Sequence, residues 1–373
     1  MSIPIADLKP ALAETRPDWE DNLAALFARG FFVLGPELVR FETAFAEALG
    51  AKSAIGVSSG STAIELCLRD AGVANPRQEV LTSALTAPFT AVSIAAAGGT
   101  PKFADVDPDT LQISAGDLGN RITKRTAALL PVHLYGQPCR IDKVARLAKS
   151  FSLPLVQDAC QSHFARFRGK PLTDFSPYVA YSFYPTKNLG CLGDGGAIAT
   201  RSLAVAKRLR QLRDGGRGTG PLPHSQIAYV ARGINARLDE MQACFLNAFL
   251  PRAMAWTEAR RRLATLYDDA LAGLDAVRPL RTHPCTVRHL YVVRAKRRDR
   301  LRAFVATKGI GTGIHYPVPL HLHPAFAAAG QKKGTLPVAE KACREILSLP
   351  LYPHLAESAV VQVVEAIREF YSE

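Results

Sequence analysis

The chain has 373 residues and a mass of 40.3 kDa, enough to bury a sizeable core and to hold two domains. Its 48% hydrophobic and 21% charged residues describe a globular protein and exclude a disordered one. A formal charge of +13 raises the question of a polyanionic partner. The basic runs, Lys207-Arg208-Leu-Arg210, Arg260-Arg261-Arg262 and Lys296-Arg297-Arg298, lie in or beside expected helices, with no aromatic residues interleaved. That pattern fits a solvated surface, with an anionic nucleotide diphosphate accounting for part of the charge and no nucleic acid.

In chain order, the N-terminus lacks the basic start and apolar run of a secretory signal, which points to a cytoplasmic protein. From about residue 50 to 200, short β-rich runs alternate with helical patterns. Ser53–Val57 reads as a strand and Thr62–Ala71 as a helix. Glu79–Thr82, Pro101–Ala104, Ala127–Val132 and Leu153–Gln157 read as further strands. The uncharged stretch from Val80 to Pro101 has roughly the length that spans a bilayer. Its Pro88, Gly98, Gly99 and hydroxyl residues favour a buried strand and helix instead, with no membrane span. The alternation predicts an α/β layer sandwich on a mostly parallel sheet. Val179–Phe183 and Gly196–Thr200 add two strands joined by a glycine-rich turn, and residues 214–223 read as a flexible loop.

A long helical pattern from Leu238 to Leu274, interrupted at Pro251, leads into a small α/β region. That region has strand-like His289–Val293, helical Arg300–Thr307, strand-like Gly311–His315 and a final helix. The seven cysteines are scattered without a Cys-x-x-Cys pair, so reduced thiols are expected, with neither disulfides nor zinc. His321 and His323 have metal-like spacing, but no Cys or carboxylate is near them in sequence.

Three local patterns carry chemistry. In Ser182-Phe-Tyr-Pro-Thr-Lys187-Asn-Leu-Gly190, a lysine leaves a buried strand into a glycine-rich turn. Desolvation there lowers an ammonium pKa, and the neutral amine can form a Schiff base with a carbonyl. In Leu155-Val-Gln-Asp158-Ala-Cys-Gln161-Ser-His163, Asp158 ends an apolar strand, at the edge where open α/β sheets bind ligands. A carboxylate there can pair with a protonated pyridine nitrogen. In Val57-Ser-Ser-Gly60-Ser61-Thr62, a small-residue turn opens a helix whose free N–H groups suit a phosphate. Each pattern has a structural alternative: a surface lysine, a helix-capping Asp and an ordinary N-cap.

In this order the three patterns resemble the DegT/DnrJ/EryC1/StrS aminotransferases, and further blocks extend the resemblance over nearly the whole chain. These are Gly30-Phe-Phe-Val-Leu-Gly35-Pro36 with Phe41-Glu42, Thr100-Pro-Lys-Phe-Ala-Asp105, Pro131-Val-His-Leu-Tyr135-Gly136-Gln137, Gly233-Ile-Asn235-Ala-Arg237-Leu-Asp239-Glu-Met-Gln242, His289-Leu-Tyr and Gly309-Ile-Gly-Thr-Gly-Ile-His315-Tyr316-Pro. The resemblance implies the type I, aspartate aminotransferase-like fold. Residues 1–250 would form an N-terminal arm and a three-layer large domain, and 251–373 a small C-terminal α/β domain. It also implies a pyridoxal-phosphate (PLP/PMP) enzyme that moves an amino group, usually from glutamate, onto C3 or C4 of a nucleotide-linked keto hexose.

By the same resemblance, Lys187 holds the cofactor and acts as acid–base. Asp158 pairs with the ring nitrogen, Gln161 lies by the ring hydroxyl, and Gly60, Ser61 and Ser182 hold the phosphate. Asn235 reaches that phosphate from a neighbouring subunit, which makes the active unit a homodimer. His163, His315 and Tyr316 are the candidate sugar contacts. Relatives with histidine in place of the lysine are dehydratases, and Lys187 favours transamination over that reading or over a non-catalytic regulatory one. The chain departs from the family's pattern at three places. Ala87 stands where an aromatic ring usually stacks on the cofactor, with Phe89 as an alternative source of a ring. Phe164 replaces a glycine, which is expected to narrow or reshape the pocket, and Ser61 replaces a threonine.

Overall fold

The computed structural model describes residues 2–218 and 227–372, so part of the expected loop at 214–223 lies outside the described residues. The N-terminal segment forms α1 (Lys9–Glu14), α2 (Arg16–Arg29) and α3 (Pro36–Leu49). An alternation follows: β1 (Ser53–Val57), α4 (Gly60–Asp70), β2 (Glu79–Ser83), α5 (Pro88–Ala96), β3 (Thr100–Ala104), α6 (Ala115–Asn120), β4 (Thr126–Leu130), α7 (Ile141–Ser150) and β5 (Val156–Asp158). After the short hairpin β6 (Arg166–Phe167) and β7 (Lys170–Pro171) come β8 (Tyr178–Ser182), β9 (Gly196–Thr200) and α8 (Leu203–Arg213). The uncharged 80–101 stretch is therefore β2, α5 and the start of β3. Among the described residues no helix is long and apolar enough to cross a membrane.

Two sheets, ordered β1-β9-β8-β5 and β3-β2-β4, are joined by parallel bridges Leu129↔Leu155 and Val132↔Asp158. The combined order is β1-β9-β8-β5-β4-β2-β3. Only β9 runs against the others, pairing antiparallel with both β1 and β8. Strand alternation sorts the side chains into two cores. Ala197 and Ala199 of β9 face α3 and the later helix α9 (Glu240–Phe249), whereas Ile198 faces α4 and α8. The result is three layers, helix–sheet–helix. The carboxyl ends of β1, β5 and β8, carrying Ser58–Gly60, Asp158 and Ser182, share one edge.

The interruption expected at Pro251 is a 3-10 turn between α9 and α10 (Ala253–Ala270). Beyond it, β10 (Val277–Pro279), β11 (Tyr291–Ala295) and β12 (Ile346–Leu349) form an antiparallel sheet. This sheet packs with α10, α11 (Arg298–Thr307) and α13 (Glu357–Ser372) in a core of its own. A further core joins α12 (Pro337–Glu345) and Val292 to Leu85, Phe103 and Tyr135 of the large sheet's side.

The expected strand Gly311–His315 is not one. Only Gly313 pairs, as a single bridge with Ser348. The chain curls so that the His315 ring lies over Gly313, where a Cβ would stand 2.7 Å from it. Strand β12 takes the sheet position instead. Two basic runs also depart from the solvated reading. Arg298 is buried and caps the Cys343 and Ile346 carbonyls, and Arg260 is buried on α10. The surroundings of His321 include a carboxylate after all, because its Nε2 meets Glu340 at 3.0 Å.

Two buried acids tie the N-terminal helices to the sheet. Glu42 accepts from Gly56 N–H at 2.8 Å and pairs with Arg213 and Arg210. Glu240, fully buried, accepts the main-chain N–H groups of Gly35, Glu37 and Leu38, each at 2.9 Å, at the start of α3. Those N–H groups have no helical partner of their own. Replacing Glu240 with Ala strands them in the interior. We expect a loss of about 3 kcal/mol, with a smaller loss for Glu240→Gln, read from urea unfolding midpoints.

Candidate active site

Lys187 lies in the turn after β8, and its side chain is half-buried. Burial lowers its pKa below the ordinary lysine value, and the nearby Asp158 opposes that shift. Asp158, 4% exposed, ends β5. Its carboxylate is held in place by Thr90 Oγ1 at 2.8 Å and by Cys160 N–H at 3.1 Å. Two main-chain bonds, Asp158 N–H to the Pro131 carbonyl and His133 N–H to the Asp158 carbonyl, fix the strand end against the neighbouring chain segment.

Gln161 Oε1 accepts Tyr135 N–H at 2.7 Å, so its amide orientation is set, and Nε2 donates to Tyr316 Oη at 3.1 Å. The second Nε2 proton is left for another acceptor. Tyr135 sits at φ 59 and Gly136 at φ 90. A Cβ on Gly136 would meet His289 N at 2.6 Å, so glycine is required for the close approach. Tyr135 Oη donates to the His315 carbonyl, and burial pushes the Tyr316 hydroxyl up to about 12. His315 and Tyr316 thus meet Gln161 and Tyr135, and His315 Nδ1 lies 2.8 Å from Ser348 Oγ.

At the start of α4, Ser59 is the N-cap and accepts Thr62 N–H at 3.1 Å. The N–H groups of Gly60 and Ser61 make no hydrogen bond among the described residues. A Cβ on Gly60 would stand 2.6 Å from Ser182 Cβ and 2.8 Å from Cys160 Sγ, so these three residues are packed together. Lys187, Asp158, Gln161, Gly60, Ser61 and Ser182 therefore gather on the carboxyl edge of the sheet. Asn235 is exposed, beside Ala236, whose carbonyl accepts Ser58 N–H.

His163 is not a sugar contact. It is fully buried, packed on Tyr181, Phe183 and Phe164 at centroid distances of 5.5, 5.9 and 6.3 Å. Neither ring nitrogen makes a hydrogen bond of regular geometry, although the Ser182 main chain is close. Burial and then the Lys187 charge push its pKa down to about 3, so the ring is neutral.

Phe164 does not narrow the pocket either. It takes φ 62, the left-handed backbone for which glycine is suited, and turns its ring into the core edge-on to Phe45. Ala87 is the N-cap of α5, and Phe89 is 65% exposed. Four positions escaped the sequence reading. Thr90 orients Asp158, and Cys160 sits beside Lys187. Asn188 Oδ1 lies 3.2 Å from His289 Nδ1, and His289 is buried. The only sequence signal for these was nearness to Asp158, Lys187 or Ala87, or membership of the His289-Leu-Tyr block.

Fold and site together define an aminotransferase of fold type I. A model of the DegT/DnrJ/EryC1/StrS aminotransferase family matches residues 14–368, and the chain belongs to that family. The chain is 41% identical over 370 residues to a dTDP-3-amino-3,4,6-trideoxy-alpha-D-glucose transaminase of Streptomyces venezuelae, covering 99% of this chain and 96% of that one. It is 40% identical to a pleiotropic regulatory protein of Geobacillus stearothermophilus, covering 100% and 99%. The crystal structure of S. venezuelae DesV in complex with a ketimine intermediate superposes with a TM-score of 0.94 at 40% identity, covering 100% and 99%.

Phe164 gains core packing at the expense of left-handed backbone strain. Truncating a buried Phe costs roughly 3–5 kcal/mol, and a glycine relieves about 1. Phe164→Gly is expected to destabilise the fold by about 2–4 kcal/mol in urea unfolding. A stabilised variant would show that the ring is not a core element.

Proposed function

We propose that the chain is a pyridoxal-phosphate-dependent enzyme that moves an amino group from L-glutamate onto C3 or C4 of a nucleotide-diphosphate keto hexose, working as a cytoplasmic homodimer. Residues 1–250 are its arm and cofactor-binding domain, and 251–373 its small domain. The observation that carries this reading is the convergence of a half-buried amine, Lys187, a fixed carboxylate, Asp158, and the free N–H groups of α4 on one sheet edge. These residues fit the cofactor. Gly60 lets the start of α4 pack directly against Ser182, and its N–H with that of Ser61 suits a phosphate. When bound, the cofactor supplies an electron sink for a carbon bearing nitrogen.

The chain's own groups do the rest. Lys187 Nζ, whose pKa burial lowers, would carry a proton between the nitrogen-bearing carbon of the substrate and that of the cofactor. Asp158, kept in place by Thr90, would hold a proton on the ring nitrogen. The remaining Gln161 N–H would be available to the ring oxygen, and Ser182 to the phosphate. His315 and Tyr316 line the sugar side. The 3-amino product in the name of the S. venezuelae relative supports C3. Phe27, Phe31, Phe32 and Val33 are exposed apolar residues, which supports a second copy covering this face and bringing its Asn235 to the phosphate.

Loaded with pyridoxal phosphate, the protein is expected to absorb in the visible, and Lys187→Ala to abolish that band. A panel of dTDP- and UDP-keto hexoses with glutamate, read by mass spectrometry, should give one amino sugar and 2-oxoglutarate. Loss of the sugar's hydroxyl without gain of nitrogen would instead mark a dehydratase.

Thr90→Val keeps shape but removes the bond to Asp158, a charge-assisted contact worth about 1.5–3 kcal/mol. Cofactor affinity should fall roughly 10- to 100-fold in equilibrium dialysis, with the apoprotein still folded by circular dichroism. Unchanged affinity would show that Thr90 does not position the carboxylate.

A further inference from the structure

A small recess lies between the lysine turn, the N-terminal segment and α10. Of the residues assigned to the cofactor, only Lys187 is in its wall. The others that matter are Asn188, Leu8, Trp256, Tyr352 and Arg260. Arg260 is the unusual one. It is 7% exposed, and no carboxylate lies within 4.0 Å of it among the described residues. Its Nη1 donates to the Leu351 carbonyl at 2.8 Å and to the His289 carbonyl at 3.4 Å. Nε is buried without a partner, and Nη2 makes no hydrogen bond among the described residues.

The Nε–Nη2 edge is the side of a guanidinium that grips a carboxylate with two parallel bonds. Burial alone pushes this group down to about 10, so it still carries its charge at neutral pH. An uncompensated buried cation is costly, and a native fold keeps one where an anion completes it. The neighbouring walls suit a short aliphatic chain, since Leu8, Trp256 and Tyr352 supply apolar surface. The recess also communicates with the reacting amine. Arg260 holds the His289 carbonyl, His289 Nδ1 meets Asn188, and Asn188 follows Lys187 in the chain.

We infer that this recess receives the distal carboxylate of a dicarboxylic amino donor, with Arg260 as its receptor. The inference rests on the aminotransferase reading with a dicarboxylic donor. It accounts for a recess that shares Lys187 with the cofactor site, since the donor's amino end must reach the site that Lys187 serves. Asp7, also in the wall, accepts Lys9 N–H and opposes a bound carboxylate. It gives the recess a weaker grip than Arg260 alone would provide.

The test uses the pyridoxal-phosphate-loaded protein and glutarate, a dicarboxylate that cannot react, titrated calorimetrically. Arg260→Gln should weaken glutarate binding about 100-fold, with Arg260→Lys recovering part of it. The same variants should raise the half-saturating glutamate concentration with little change in the saturated rate. Asp7→Asn, which leaves the Arg260 carbonyl contacts alone, should tighten glutarate several-fold. Should Arg260→Gln fail to fold, Asp7→Asn decides alone, and unchanged or weaker glutarate binding there overturns the inference. Glutarate binding that ignores both positions in a protein that aminates keto sugars overturns it while sparing the proposed function. Glutarate held by Arg260 in a protein that aminates no keto sugar supports the recess and removes the proposed function.

Discussion

The structure is organised around one amine that must be kept out of water without being left without electrostatic support. Lys187 loses hydration in the turn after β8, which favours its neutral form, and Asp158 pulls the other way. A free lysine would be protonated at neutral pH and useless as a nucleophile, and a fully dry one would not accept a proton when needed. The balance requires Asp158 at a fixed distance, and the parallel sheet supplies that. Strand β5 is hydrogen-bonded on both sides, so its last residue cannot drift, and Thr90 from the neighbouring helix sets the carboxylate's rotation.

The second constraint is that the site is closed by parts of the chain far apart in sequence. Gln161 is the junction. One end takes the Tyr135 N–H, the other gives to Tyr316, and Tyr135 returns a bond to the His315 carbonyl. Asn188 and His289 make a parallel tie on the lysine's other side. All four histidines in this region are held neutral by burial: His133 at about 4, His163 at about 3, and His289 and His315 below their ordinary value. None adds a charge beside Lys187 at neutral pH.

The sheet was legible because its strands are short, buried and separated by turn residues. Ser53–Val57 and Gly196–Thr200 coincide with their expected bounds, and the others shift by a few residues. What failed has physical causes. Gly311–His315 has a strand's composition, yet tertiary bonds to Ser348 and Tyr135 bend it away from the ladder. Conversely, Ile346–Leu349 is a mostly apolar run whose role as the end strand of the β10-β11-β12 sheet depends on β11 lying beside it. The candidate cofactor-site residues other than Asn235 gather because each lies at the end of a strand or within five residues of it. His163, two residues after Gln161, turns its side chain from the edge into the core. Thr90 was hidden because its partner is 68 residues away.

The excess of basic residues also reads differently once the fold is known. Arg213 with Glu42, Arg298 on the carbonyls ahead of β12, and Arg260 on those of Leu351 and His289 are internal fasteners. Arginine suits this role because its fork satisfies several carbonyls at once and it stays charged even when burial works against it. Arg298 still reaches Asp299, and Arg213 has Glu42, so both have a nearby counter-charge. Arg260 has only neutral carbonyls and borders a recess that also touches Lys187. The difference between these arginines therefore depends on what a buried cation is paired with, which net charge and sequence clustering do not reveal.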